Sequence, residues 1–505
     1  RRRLLAPIGV GSKAPGDQTG ILAVPTVEGT NLIAGVSNWE VRTPAEVATI
    51  PSVMLISQGD DLKIPPSTAT TGPLALADID GDGDLDLFLG GRAIPGAYPL
   101  PSSSRMFRNE DGEWVEDSAA TDVLDGIGLV SGAVFSDVDI DGDPDLILAL
   151  EWGPVRLLRN DGGQFSEVTD DWGLGTLHGR WNGIATGDLN SDGLPDLVVT
   201  NWGRNTGHTP TLRRPIRIHA ADLDGNGLTD IIESETDPSG AVVPIRGYST
   251  LSATLPFIRR SAPTYGTFAR ATVNQLIGTG RTNIYEAEVV TLDHTLFLNG
   301  GGSFEAYPLP SATQRAPAFG VVIADFDRDG AEDLFIAQNF FATPEGVARH
   351  DAGRGELLLG NGEGGLLRLG AARSGIAIYG DARGAAIADF DADGRWDLAV
   401  GQNGEEVAIF QGAGGAPGLR VRLVGTGLNP EAVGASVRIA YDSGWGPLRE
   451  IQAGSGYWSK NGAVQVFGLR EPAQGLRVRW PDGSEETYDV RPNTREIVVR
   501  PGEGR

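Results

Sequence analysis

The chain contains no cysteine, which excludes disulfides, zinc–thiolate centres, thiol catalysis and a lipid-modified cysteine within it. It is poor in basic residues: 41 Lys and Arg stand against 67 Asp and Glu, a formal net charge of −26. Nucleic-acid binding, which needs a basic stripe, is therefore not expected. Long apolar runs are missing too. The one after the opening arginines, residues 4–10, is broken by Pro7 and Gly9, too short to span a membrane and marginal as a signal core. A chain that starts on arginines without a methionine is compatible with a signal segment or anchor upstream. The five histidines, His178, His208, His219, His294 and His350, are scattered. No HExxH pair, GxSxG elbow or strand-linked GxGxxG loop accompanies them. Long helical patterns are absent, so a helical solenoid is excluded.

Abundant instead are glycine (72) and proline (31), together about a fifth of the 505 residues, as expected of many turns and short strands. One pattern recurs six times: an apolar strand, an Asp/Asn-rich loop, a second apolar strand. The copies begin LALADIDGDGDLDLFLG at Leu74 and AVFSDVDIDGDPDLILA at Ala133, and continue through Ile184, Ile218, Val321 and Ala385. Their first acids, at 78, 137, 188, 222, 325 and 389, are 59, 51, 34, 103 and 64 residues apart, a spacing that suits four-stranded propeller blades. Residues 20–38 have the same outline without the acids and read as a metal-free copy. Six plus one gives an all-β, seven-bladed propeller over residues 15–412, after an N-terminal extension at 1–14. Apolar residues at helical spacing predict a helical insertion at about 263–278, inside the longest interval. Gly-rich segments RNEDGEW, RNDGGQF, LNGGGSF and GNGEGGL read as hairpins between the acidic loops.

In each loop, acids or amides hold positions 1, 3, 5 and 9, glycine holds position 6, and position 7 offers a backbone carbonyl. The ligand sets are Asp78, Asp80, Asp82 and Asp86 with Asp84; Asp137, Asp139, Asp141 and Asp145 with Asp143; and Asp188, Asn190, Asp192 and Asp196 with Leu194. The remaining three are Asp222, Asp224, Asn226 and Asp230 with Leu228; Asp325, Asp327, Asp329 and Asp333 with Ala331; and Asp389, Asp391, Asp393 and Asp397 with Arg395. Oxygen-only donors in a flexible loop suit Ca²⁺ better than Mg²⁺. Converging carboxylates about 4 Å apart repel by on the order of 4 kcal/mol at an effective dielectric of ~20, so a metal-free loop would open or protonate. Six calcium ions would carry the formal charge from −26 to −14. An EF-hand is excluded, because position 12 is Leu89 in the first copy and Leu148 in the second, not a bidentate glutamate.

These copies resemble the FG-GAP/VCBS repeats of integrin α-chain propellers and secreted bacterial proteins, a resemblance that implies a seven-bladed propeller with calcium in most blade loops. After a Gly-rich linker at 412–418, alternating strands such as LRVRLVG, ASVRIAY and LRVRWPDGS predict a β-sandwich or barrel-like domain over 413–505. Its segments NPEAVGA (429–435), GSGYWSKN (454–461), FGL (467–469) and VRWPDG (478–483) resemble the ASPIC/UnbV domain that follows FG-GAP propellers in the cartilage-acidic-protein family. Lys460 departs from that pattern, where a Gln-like residue is expected.

Two functions compete. The first is a calcium-binding scaffold, secreted, at the cell surface or periplasmic, engaging a protein or glycan and serving as a peripheral subunit of a larger assembly. Its rim candidates are Arg92 and Tyr98 in the loop at 91–99, and Trp202 and Arg204 in that at 201–210. The second is a calcium-dependent carbohydrate-active enzyme, a lyase or hydrolase, which a rim cleft holding a histidine beside an unpaired carboxylate would favour. No catalytic residue is assigned, His219 reads as core packing, and Trp152, Trp172, Trp181 and Trp458 read mainly as packing.

Overall fold

A computed structural model describes residues 18–26, 29–39, 50–55, 64–110, 112–278, 283–344 and 347–505; the expected extension at 1–14 lies outside them. The chain is mostly β, laid out as many small antiparallel sheets. The first contains β1 (Gln18–Thr26), β2 (Gly29–Val36) and β3 (Val53–Leu55), where the acid-free copy is expected. The second contains β4 (Thr70–Ala77), β5 (Asp86–Ala93), β6 (Arg105–Glu110) and β7 (Glu113–Glu116). In the third, β8 (Leu129–Ser136), β9 (Asp145–Gly153), β10 (Val155–Asp161) and β11 (Gln164–Glu167) gain an edge strand, β12 (Gly179–Arg180). A fourth opens with β13 (Ile184–Gly187) and β14 (Asp196–Val199) and is then interrupted. The interruption is a sheet of its own: β15 (Ile216–Ala221), β16 (Asp230–Thr236), β17 (Val242–Pro244) and β18 (Tyr285–Val289). The fourth sheet then resumes with β19 (Thr295–Asn299) and β20 (Phe304–Pro308). Two more follow: β21 (Ala318–Ala324), β22 (Asp333–Gln338), β23 (Glu356–Gly360) and β24 (Leu366–Leu369); then β25 (Asp381–Ala388), β26 (Asp397–Asn403) and β27 (Ala408–Phe410).

Among the described residues before the C-terminal domain the sheets number seven, as expected of seven blades, but their arrangement differs. First strands pack in the order β1, β4, β8, β13, β21, β25, and β15 is not in that series. Glycine explains the close approach: a Cβ at Gly72, Gly132, Gly183 or Gly320 would come within 3.0 Å of the Val130, Asn182, Phe319 or Arg383 carbonyl, each on or just before the next first strand. Four of the six acidic copies carry this glycine five residues before the first Asp, and the copy at Asp78 carries it six before; the inserted copy has Arg217 at that place. Strands sandwiched between sheets are buried on both faces, and every residue of β8 and β9 is buried. The helical segment is longer than 263–278 and is four short helices: α1 (Tyr248–Thr254), α2 (Ile258–Ser261), α3 (Tyr265–Phe268) and α4 (Val273–Ile277). Pro256 and Pro263 separate the first three of them. All four Gly-rich segments form the hairpins between the third and fourth strands of their sheets.

Beyond β27, two small sheets share one core. One is β28 (Leu419–Leu423), β32 (Gln465–Phe467) and β35 (Glu496–Val499); the other is β29 (Ser436–Tyr441), β30 (Gly444–Trp445), β31 (Arg449–Glu450), β33 (Gly475–Arg479) and β34 (Glu485–Asp489). The segment at 453–462 leaves this domain and runs among the six first strands. Leu76 N donates to Ala453 O (2.7 Å) and Gly456 N to Ile184 O (2.6 Å). The Trp458 indole donates to Ser131 O (3.0 Å), and Gly462 N donates to Ile387 O (2.7 Å). Tyr457 packs on Phe319 at 5.2 Å between ring centroids, and Trp458 lies beside Gly20. One segment thus touches all six sheets.

Candidate metal centres and the opposite surface

Every acidic loop folds in the same way. Residues 4 and 6 are left-handed: Gly81, Ile140, Ser191, Gly225, Arg328 and Ala392 at position 4, and glycine throughout at position 6. Ile140 (φ 59°) is β-branched and strained there. The glycine amide donates to the first Asp in all six loops, for example Gly83 to Asp78 Oδ2 and Gly330 to Asp325 Oδ2, both 3.0 Å. The ninth-position Asp accepts from the amide of position 2, as Asp86 does from Ile79 at 3.0 Å. Amides of Asp84, Asp143, Leu194, Leu228 and Ala331 donate to the fifth-position side chain, whereas Arg395 reaches Asp393 with its guanidinium (2.6 Å).

Five loops gather carboxylates whose oxygens lie within 4.8 Å of one another and could hold a metal ion: Asp78, Asp80 and Asp82; Asp137, Asp139 and Asp145; Asp222, Asp224 and Asp230; Asp325, Asp327 and Asp333; Asp389, Asp391 and Asp397. The Asp188 loop makes no such triad. Asn190 replaces its third-position acid and donates to Asp192 (2.8 Å). Of the expected acid ligands, Asp86, Asp141, Asp329 and Asp393 lie outside the triads of their own loops, and Asp188, Asp192 and Asp196 belong to none. Burial pushes Asp78 and Asp188 up to about 6, Asp86, Asp137, Asp196 and Asp325 to about 7, and Asp145 and Asp333 to about 8, with neighbouring acids adding to the rise. A bound cation would offset this cost.

The C-terminal domain sits on these loops. Arg479 reaches Asp137 Oδ2 (2.8 Å), Leu448 N donates to Asp188 Oδ2 (2.8 Å), Gly468 N to Asp325 Oδ2 (3.0 Å) and Arg420 to Asp389 Oδ2 (2.7 Å). In each case the domain takes the oxygen already held by the position-6 glycine. The other oxygen of Asp188 and of Asp325 is buried and has no partner among the described residues; that of Asp325 belongs to a triad and is left to bind a cation. Charge matches the seating: residues 413–505 hold twelve Arg and Lys against ten Asp and Glu, in a chain of net −26. These contacts escape sequence reading, although arginines alternating with apolar residues in LRVRL and LRVRW are their signal. The inserted loop is turned elsewhere, with Thr229 N donating to Gly96 O (3.1 Å) at the far strand ends.

Those far ends carry the rim candidates. Glu151, buried, pairs with Arg92 (2.5 Å) and Arg180 (2.9 Å) and accepts from the Tyr98 hydroxyl (3.0 Å). Burial alone would raise this carboxyl, yet Arg92 and Arg180 hold it at about 2. Arg180 also stacks on Trp202 at 4.1 Å and Trp152 at 5.2 Å. Arg92, Tyr98 and Trp202 therefore meet around a carboxylate and an arginine that motif reading passed over, while Arg204 makes a separate bidentate pair with Asp293 (2.7 Å). His219 is buried, as expected, between Glu286 and Ser234. A cleft of about 260 Å³ separates the third sheet from the inserted one. It holds His178 near Glu286 and Glu288, but these acids are paired with His219 (2.9 Å) and Arg217 (3.2 Å). Lys460 bonds Glu431 (2.5 Å).

A family model for the FG-GAP-like repeat matches residues 137–199, and the ASPIC and UnbV model matches residues 425–505. The chain carries an FG-GAP-like repeat and a C-terminal ASPIC and UnbV domain. It is distantly related to cartilage acidic protein 1. The Xenopus tropicalis protein is 31% identical over 39% of this chain, and the Mus musculus protein 30% identical over 41%. The match spans only 31–32% of the length of these relatives. Among solved structures, the Dos1 propeller covers 96% of this chain and 95% of its own, with TM-score 0.31 and 9% identity. Rhamnogalacturonan lyase YesW covers 97% and 76%, with TM-score 0.31 and 12% identity.

Proposed function

We propose that the six serial sheets are blades of one closed propeller, that the acidic loops hold structural calcium, and that the chain is a binding or scaffold protein of the cell exterior or periplasm rather than an enzyme. The observation that carries this reading is the divided use of the first-position carboxylate in a loop that also gathers a triad: one oxygen of Asp325 bonds the position-6 amide and the ASPIC and UnbV domain, and the other is buried without a partner among the described residues. Several carboxylates in a flexible loop with left-handed turns suit the irregular six- to eight-fold shell of Ca²⁺, and Mg²⁺ demands stricter geometry. Each ion supplies charge compensation and rigidity. Weak oxygen-ligand sites fill at the millimolar calcium found outside cells, which supports an exported location.

Because the ASPIC and UnbV domain covers the loop side, partner contact falls to the opposite strand ends, where the Arg92–Glu151–Arg180 cluster and the cleft lie. Peripheral assembly with a protein or glycan is consistent with a rigid scaffold that presents loops from one side. Metal analysis paired with thermal melts, with and without chelator, tests the reading. Several calcium ions per chain and a large chelator-induced fall in melting temperature are expected. Absence of calcium with an unchanged melt overturns it.

A further inference from the structure

We propose that the last serial sheet is a docking surface for one extended strand of a partner protein, which fills the place of the fourth strand that this sheet lacks. In the four sheets before it in the series, a fourth strand, β7, β11, β20 or β24, pairs with the third. The last sheet ends at β27. Gly412 N still donates to Asp397 Oδ1 (2.8 Å), as the amides of Asn109, Asn160, Asn299 and Gly360 do to the ninth-position Asp of their loops (2.9 Å). Beyond that point the chain turns back in a hairpin in the other four sheets, whereas here it leaves for β28 and the C-terminal domain. The outer edge of β27 therefore pairs with no strand among the described residues, and a bare edge is a template for another strand.

The face beside that edge is bare as well. Ile409, opposite Ala399, stands where the other four sheets have Met106, Leu157, Leu296 and Leu357. Those four are at most 6% exposed, because each packs into a core shared with the next sheet; Ile409 is 65% exposed. Phe390 repeats the contrast at position 2 of its loop: it is 61% exposed, and Ile79, Val138 and Leu189 are at most 1%. Val407, two residues before Ile409, is exposed too. The ring is joined here at its axis: a Cβ at Gly384 would meet Ser459 Oγ at 2.9 Å, and one at Gly20 would meet Trp458 Cβ at 3.6 Å. The segment at 453–462 thus links the last sheet to the first and leaves Phe390, Val407 and Ile409 uncovered. This is a different surface from the far strand ends, and it adds a second contact to the binding reading above.

The repeat itself supplies the occupant's chemistry. Phe165, Phe304 and Leu366 lie opposite Asn160, Asn299 and Gly360, the equivalents of Gly412. Val168, Tyr307 and Leu369 follow three residues later, against Leu157, Leu296 and Leu357, the equivalents of Ile409. The partner strand therefore carries large apolar residues three apart, one for each side of the sheet. Charge adds a further requirement. Glu405 and Glu406, just before β27, are exposed and make no ion pair among the described residues. In an antiparallel strand they face the third and fourth residues after the second apolar one, where a basic side chain pairs with them. A second copy of this chain would bring a further net −26 instead, so a basic partner is favoured.

Calorimetry and hydrogen exchange on the calcium-saturated full chain test this with a synthetic peptide copying residues 361–373, NGEGGLLRLGAAR. It carries Leu366 and Leu369, with Arg373 four residues after the second. The peptide should bind with a Kd below about 1 mM and slow exchange at 407–410; the same peptide with Leu366→Ser and Leu369→Ser should not. In the full chain, Ile409→Lys should weaken binding at least about 10-fold with an unchanged melting temperature, and Glu405→Lys with Glu406→Lys should do the same. No binding up to about 1 mM, or binding unmoved by these variants, would overturn it. So would a fall in melting temperature with Ile409→Lys as large as that with Leu357→Lys, because the chain's own residues would then cover the face. Dimerisation abolished by Ile409→Lys would assign the face to a second copy and overturn it too. Peptide binding by a chain that holds no calcium would sink the metal reading and leave this one standing.

Discussion

Replacing Asp325 by alanine tests whether the acidic loops and the ASPIC and UnbV domain hold each other. The carboxylate is fully buried and accepts from Gly330 N and Gly468 N, each at 3.0 Å. Its loss leaves two buried amides unpaired, about 1–3 kcal/mol each, so roughly 2–6 kcal/mol before any change in metal affinity. Gly468 belongs to the C-terminal domain, so about half of this cost falls on its seat. Asp222 is the control: it is exposed and accepts from Gly225, Asn226 and Gly227 of its own loop, at the ends remote from that domain. Hydrogen exchange across residues 453–462 reports undocking, because Gly456 N and Gly462 N are bonded to Ile184 O and Ile387 O. With saturating calcium, Asp325→Ala should speed this exchange at least about 10-fold, the equivalent of ~1.4 kcal/mol. Asp222→Ala should leave it unchanged. Equal exchange in both variants, or no change with Asp325→Ala, would refute the coupling.

Metal analysis should find about five ions per chain, since the described residues form five triads and the Asp188 loop lacks one; Asn190→Asp should add a further ion, and an unchanged count would contradict the ligand assignment. Acid should cost stability through His294, whose Nδ1 accepts from Asn201 N while Nε2 donates to Ala316 O. Burial lowers its pKa from 6.5 to about 4, so the folded state favours the neutral ring. That contribution is whole above pH 6.5 and is lost as pH falls through 4, about 3 kcal/mol in all. A His294→Gln variant should show a shallower decline in calcium-saturated urea titrations across this window. Gly183→Ala would drive a Cβ into the backbone of Phe319 and Gly456, which cannot move independently. It should destabilise by the upper end of the about 1–3 kcal/mol that overpacking costs; a wild-type urea midpoint would refute the packing.

The acidic loops were legible because each repeats a local geometric demand. Position 6 must be left-handed, so it is glycine six times, and positions 1 and 9 must accept backbone amides, so they are Asp six times. Sheet membership was less legible, because it depends on contacts between strands far apart in sequence. The spacing alone made the copy at Ile218 look like its neighbours. Its difference is Arg217, standing where four other copies have a glycine, which in three of them lets adjoining first strands approach. The seat of the C-terminal domain was hidden for the same reason: Arg420 and Arg479 acquire meaning only once Asp389 and Asp137 lie opposite them.

An insertion that is no part of the serial frame should be removable, and the frame shows where. Strands β14 and β19 stay paired across it, Val199 opposite Thr295, and Gly203 N donates to Leu292 O at 2.6 Å just before the chains diverge. Excising residues 204–291 and joining the ends by a short turn therefore restores an ordinary hairpin connection between neighbouring antiparallel strands. The cost lies at the seam, where Leu129 and Trp152 lose Ile216, Ile218 and Val289 as packing partners, at about 1.5–3 kcal/mol for each large side chain fully uncovered. The shortened chain should fold, keep its C-terminal domain docked, and hold one calcium fewer because Asp222, Asp224 and Asp230 are gone. Circular dichroism, metal analysis and exchange across 453–462 measure these outcomes. A shortened chain that cannot fold even in saturating calcium would mean that the inserted sheet closes the frame as a blade rather than decorating it.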